Sequence, residues 1–89
     1  MLDNDDISMA VEVKSKAKPA DIEKHLRRMD VLRRTANPRD TRKYLGAVAV
    51  AIMTEDIREC IIQHGFYAIE QTGDTVRINV PESFTPREW

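Results

Sequence analysis

Residues 10–15, Ala10-Val11-Glu12-Val13-Lys14-Ser15, alternate apolar and polar side chains and place a carboxylate and an ammonium two positions apart. In a β-strand, side chains at i and i+2 share a face. The spacing therefore predicts a strand over residues 7–15 in which Glu12 and Lys14 project together from one side while Val11 and Val13 are buried on the other. An acid and a base held side by side on a rigid strand form the constellation in this chain that points to chemistry.

On the upstream side, Asn4-Asp5-Asp6 has turn composition, so Met1-Leu2-Asp3 reads as the stub of an earlier strand whose hairpin returns through residues 7–15. On the downstream side, Pro19 suits a first helical turn, and Asp21 and Glu23 suit the positive end of the helix dipole. Ile22, Leu26 and Met29 recur at helical spacing, which predicts an amphipathic helix over 19–35. At about 100° per residue, Lys24, Arg27, Arg28 and Arg34 fall opposite that apolar stripe. His25 lies at the border of the stripe and reads as a structural histidine, because no second ligand stands at metal spacing on the helix.

A basic loop over residues 36–43 ends at ten uncharged residues, Tyr44 to Met53. Such a run after a crossover helix predicts a strand over 45–53, buried on both faces and parallel to the strand that holds Glu12 and Lys14. Thr54 can cap a second helix, with Ile57, Cys60 and Ile61 as its buried stripe and Gly65 as its stop. Residues 66–70 read as a strand. Residues 71–74 form a turn into a last strand over 75–80, with Val76, Ile78 and Val80 inward. The result is one α/β domain over 1–80, a small mixed sheet with two flanking helices in the order β-β-α-β-α-β-β, followed by a tail over 81–89 that anchors through Phe84 and Trp89.

Composition bounds the function. The chain has 89 residues, one small domain's worth, and 42% hydrophobic with 33% charged residues is the balance of an ordinary soluble fold. No apolar run approaches the roughly 20 residues that span a bilayer, and the acidic N-terminus is unlike a secretory signal, which predicts a cytoplasmic protein that does not meet membranes. The single cysteine, Cys60, excludes an internal disulfide and a multi-thiolate metal site. Net charge is −1, yet residues 13–43 carry eleven bases against four acids. A local excess of that size is the kind that meets phosphates, although Lys and Arg on an exposed helix face also serve simply to solvate it. Gly-rich phosphate loops, nucleophile elbows and paired CxxC motifs are absent.

The Val11-Glu12-Val13-Lys14 strand, followed by amphipathic helix, buried strand, helix and strand, resembles the PD-(D/E)xK nuclease superfamily. More narrowly it is similar to small uncharacterised bacterial members with a VEVK strand and a closing segment like Gly65-Phe66-Tyr67-Ala68-Ile69-Glu70-Gln71-Thr72-Gly73-Asp74-Thr75-Val76. The resemblance implies a partial restriction-endonuclease-like core that hydrolyses phosphodiester bonds of DNA with Mg²⁺. Glu12, the Val13 carbonyl and Asp3 would hold the metal. Glu12 and Lys14 would be the catalytic pair, with Lys14 positioning the attacking water, and Lys16, Lys24, Arg27, Arg28 and Arg34 would meet the nucleic acid.

The sequence departs from the family pattern at the first acid, for which only Asp3, Asp5 and Asp6 precede the strand, and the helix that opens the family's core is missing. The resemblance thus implies either a metal-dependent nuclease or a variant inactive because that acid is missing or displaced. The alternative is a non-catalytic nucleic-acid-binding or assembly module with the same fold, and Glu12 and Lys14 then form an ion pair on the sheet. An open sheet edge and the aromatic tail further predict a homodimer.

Overall fold

The computed structural model describes residues 2–3 and 6–89. The chain runs β1 (Leu2–Asp3), β2 (Ile7–Lys16), α1 (Pro19–Thr35), β3 (Lys43–Ile52), α2 (Glu55–Gln63), β4 (Tyr67–Thr72) and β5 (Thr75–Ile78). The sheet order follows the sequence, β1-β2-β3-β4-β5, with β2, β3 and β4 parallel and the two outer strands antiparallel to their neighbours. This is the small mixed α/β fold that the pattern predicts. The predicted turn at Asn4-Asp5-Asp6 falls largely on residues 4 and 5, outside the described residues.

Local chemistry explains the helix ends. The Asp21 carboxylate accepts the Lys18 amide at 2.9 Å while the Asp21 amide donates to the Lys18 carbonyl at 2.9 Å, which closes the first turn of α1 behind Pro19. Thr54 caps α2 by accepting the Ile57 amide at 3.3 Å. Gly65, at φ +83°, ends α2 in the left-handed region. A side chain there would also strike the backbone and Cβ of Arg87, as close as 2.5 Å.

The core lies on one face of the sheet. Ala10 of β2, Tyr44, Val48 and Val50 of β3, and Phe66 and Ala68 at β4 meet Ile22 and Met29 of α1 and Ile61 of α2. The crossovers from β2 to β3 and from β3 to β4 step the same way across the sheet. With the usual right-handed crossover, both helices then land on the same side. Gly46 is required there, because a Cβ would lie 2.5 Å from the Phe66 ring. His25 is buried rather than bordering, with its Nε2 3.2 Å from the Ala10 carbonyl and its ring 4.9 Å from that of Phe66.

Three expectations are corrected, the second in part, by this placement of the core. First, the register sets Glu12 beside Val48 and Lys14 beside Val50, so the charged pair of β2 shares the helix-covered face. Val13, 72% exposed, stands on the open face, the reverse of the predicted assignment. Second, β3 is covered on both sides only in its first half: Tyr44 and Val48 on the helix side and Leu45 and Ala47 on the other are all buried, whereas further along Val50 stays buried beneath the helices while Ala49 is half-buried and Ala51 exposed. Third, Val76 and Ile78 of β5 do not point inward but are 69% and 61% exposed, and only Val80 packs against the core.

The tail is not loose. Consecutive Phe66 and Tyr67 point to opposite faces of the sheet, and the tail meets both. Phe84 packs edge-on against Tyr67 at 5.1 Å, and Trp89 stacks on Phe66 at 5.1 Å. Backbone bonds from Arg87 to Gly65 (3.0 Å) and from Trp89 to Tyr44 (2.9 Å) complete the clasp.

Candidate functional site

Strand alternation brings Glu12 and Lys14 to one face, and the first turns of α1 supply their partners. Arg28 donates to Glu12 Oε2, Lys14 Nζ lies 3.9 Å from Glu12 Oε1, and Lys14 Nζ is 3.8 Å from Asp21 Oδ1. The four side chains form a chain of alternating charge, Arg28 to Glu12 to Lys14 to Asp21, with no net charge. Asp21 and Arg28 are seven residues apart, two helical turns, so both reach the same edge of α1. Two positions apart on the strand and two turns apart on the helix is the sequence signal for this network, and it becomes visible only once the covered face is known.

Asp3 is not part of it. Asp3 pairs in register with Ser8. It accepts the Ser8 hydroxyl at 2.7 Å and stands 3.6 Å from Arg42. Glu12 is four residues further along β2, about 13 Å at the usual strand rise. A Mg²⁺ ion needs its oxygens at about 2.1 Å, so Asp3 and Glu12 cannot share one ion. Two cations already engage the Glu12 carboxylate, and the Val13 carbonyl belongs to the strand edge rather than to the helix-covered face. The residues present do not fit the metal site that the resemblance implies. Among the described residues, no group of three or more His, Cys, Asp or Glu side chains is placed to hold a metal.

The nucleic-acid candidates divide. Arg28 is committed to Glu12. Lys16 is exposed at the end of β2. Lys24, Arg27 and Arg34 are exposed and have no ion-pair partner among the described residues. At 100° per residue they occupy one outward stripe of α1 together with Val31, about 15 Å long. Arg33 is turned aside over the Tyr44 ring at 5.0 Å, and Asp30 is paired with Arg87 at 3.8 Å.

Sequence reasoning missed a second polar cluster in the loop before β3. Asp40 accepts from Arg42 at Nε (3.0 Å), Nη2 (2.8 Å) and the backbone amide (3.0 Å), and from the Tyr44 hydroxyl at 2.7 Å. The Arg42 guanidinium, then the Tyr44 hydroxyl, hold the Asp40 carboxyl well below the usual carboxylate range. The same bonds push Arg42 and Tyr44 upward. Every member is satisfied by a neighbour, so the cluster pins the loop to β3. Cys60 packs half-buried against the core, and burial raises its thiol pKa, the mark of an unreactive side chain.

No family model, curated protein or solved structure matches the chain. No helix among the described residues is long and apolar enough to cross a membrane.

Proposed function

We propose that this protein is a non-catalytic nucleic-acid-binding module, assembling as a homodimer on a frame that resembles a nuclease core. The observation that supports the reading is the outward stripe of α1, where Lys24, Arg27 and Arg34 stand exposed with no ion-pair partner among the described residues. Guanidinium and ammonium groups spaced along one rigid helix face suit a polyphosphate backbone, since each contact releases condensed counterions. Backbone contacts of this kind position a protein without reading sequence. Glu12 and Lys14, the pair that the nuclease reading would make catalytic, are engaged by Arg28 and Asp21 instead.

The test is fluorescence anisotropy with labelled duplex and single-stranded DNA across a salt series. Three phosphate contacts give a slope of log K against log salt of about −3 for duplex. Replacing Lys24, Arg27 and Arg34 together by Glu abolishes binding while leaving the fold intact. No salt-dependent affinity in the wild type would sink the reading. Incubation of plasmid DNA with Mg²⁺ tests the remaining part: cleavage that vanishes in Glu12→Ala would replace the non-catalytic module by a nuclease.

A further inference from the structure

β2 is ten residues long, and β1 pairs on its outer side with Ser8 and Met9, near its start. The orientation of its remaining backbone groups follows from one bond. The Lys43 amide donates to the Asp6 carbonyl at 2.9 Å, so the even-numbered residues from Asp6 to Lys14 turn their amide and carbonyl groups toward β3. Those of Val11, Val13 and Ser15 point the other way. Among the described residues no strand pairs with them there, and Val13 and Ser15 are exposed. An edge of this length with unspent donors and acceptors is a template for another strand.

We infer that the edge of β2 pairs antiparallel with β2 of a second copy of this chain, about a two-fold axis through Val13. The charges choose this register. Hydrogen bonding requires that odd-numbered residues face odd-numbered residues, which leaves few positions for the axis. An axis at position 12 sets Glu12 against Glu12 of the second copy, one at 14 sets Lys14 against Lys14, and one at 15 sets Lys14 against Lys16. An axis at 11 drives the second copy into β1 at Met9. Centred on Val13, the pairing sets Glu12 opposite Lys14 of the second copy and Lys14 opposite its Glu12. Opposite charges directly across an antiparallel pair are favourable and like charges are not.

The same register completes the backbone ladder. Val13 exchanges both hydrogen bonds with Val13 of the second copy, and Val11 does so with Ser15 on either side of the axis. On the open face the exposed Val13 side chain gains an apolar neighbour. On the covered face Asp21 and Arg28 balance Lys14 and Glu12, so the strip that meets its copy is neutral. Two five-stranded sheets become one of ten strands, with both α1 helices on the same side and the outward basic stripe of each left free. This inference rests on the homodimer part of the proposed function and names its surface.

Sedimentation equilibrium of the full chain, with oxidative cross-linking, tests it. The wild type is a dimer. Val13→Lys, which sets two ammonium groups against each other at an exposed position, weakens self-association at least tenfold and leaves the circular dichroism unchanged. Glu12→Lys and Lys14→Glu are each monomeric alone, and their equimolar mixture dimerises, because only the mixed pair restores opposite charges across the axis. In a Cys60→Ser background, Val13→Cys cross-links and Val11→Cys does not, since the Cα spacing of a facing pair, about 5.5 Å, lies within disulfide range only at the axis. A wild type monomeric at all concentrations overturns the inference and the homodimer reading together. A dimer that survives Val13→Lys and fails to cross-link through Val13→Cys overturns the edge pairing alone.

Discussion

The two faces of the sheet carry similar residues to opposite ends. On the helix-covered face, Val48 and Val50 are 1% and 2% exposed and Phe66 is closed in by His25 and Trp89. On the other, Val13, Val76 and Ile78 lie open, and a shallow groove runs between Val13, Ala49, Ile69 and Val76. A valine is therefore no guide to the core in this fold. What separates the faces is which strand neighbours bring large side chains beneath the helices, and that is set by register rather than by composition.

The contrast is most easily broken at Phe66. Phe66→Ala removes the ring around which Gly46, Met29, His25 and Trp89 are arranged, and the expected loss is about 3–5 kcal/mol in urea unfolding. An unchanged midpoint would show that the covered face is not the core.

Gly46→Ala comes next. Its Cβ meets a ring held on both sides and unable to yield, and overpacking of this kind costs about 1–3 kcal/mol.

Acidification probes the same face through His25. Burial, the largest cause, lowers the His25 pKa below its ordinary value of 6.5, and the nearby Arg28 adds to the shift. Below about pH 6.5 the unfolded chain binds a proton that the folded chain resists, so stability present at neutral pH is lost as the pH falls through 6.5 and below. His25→Gln flattens this dependence in thermal melts between pH 7.5 and 5.5, and a profile unaltered by it would remove His25 as the cause.

Glu12→Ala, at the half-buried end of the covered face, leaves Arg28 and Lys14 without their shared partner and costs about 1 kcal/mol, less at high salt. Smallest of all, Val13→Ala on the open face changes the stability of the monomer by less than about 0.5 kcal/mol. A larger loss, measured at a concentration where no dimer forms, would mean that the open face is covered by something within the chain.

Much of the fold was legible because it depends on local chemistry. Pro19 and Asp21 mark the start of α1, Thr54 and Gly65 bracket α2, and the uncharged run from Tyr44 announces β3. The face of β2 was not legible, because Val-Glu-Val-Lys alternates equally well either way up. The deciding residues are Ala10, whose small side chain lies in the core with Ile22 and Met29 of α1, and Ser8, buried on the same face, and neither carries a periodic signal. The candidate site divides in the same way. Glu12 and Lys14 share a face as their spacing requires, but their partners Asp21 and Arg28 come from a helix whose rotation over the sheet no local pattern specifies. The distance of Asp3 from Glu12 likewise follows from strand register alone.

The clasp at residues 81–89 gives the molecule a built-in optical reporter. Trp89 is the single tryptophan of the chain, and its indole is stacked on Phe66 beneath the Arg87 guanidinium, 4.6 Å from the ring centroid. Its emission therefore reads whether the last residues are seated, while far-ultraviolet dichroism reads the helices and sheet. If both signals move at one denaturant concentration, the clasp belongs to the cooperative unit. If the emission shifts first, residues 81–89 lift away as a separate, less stable element and expose the edge of Phe66 before the sheet itself gives way.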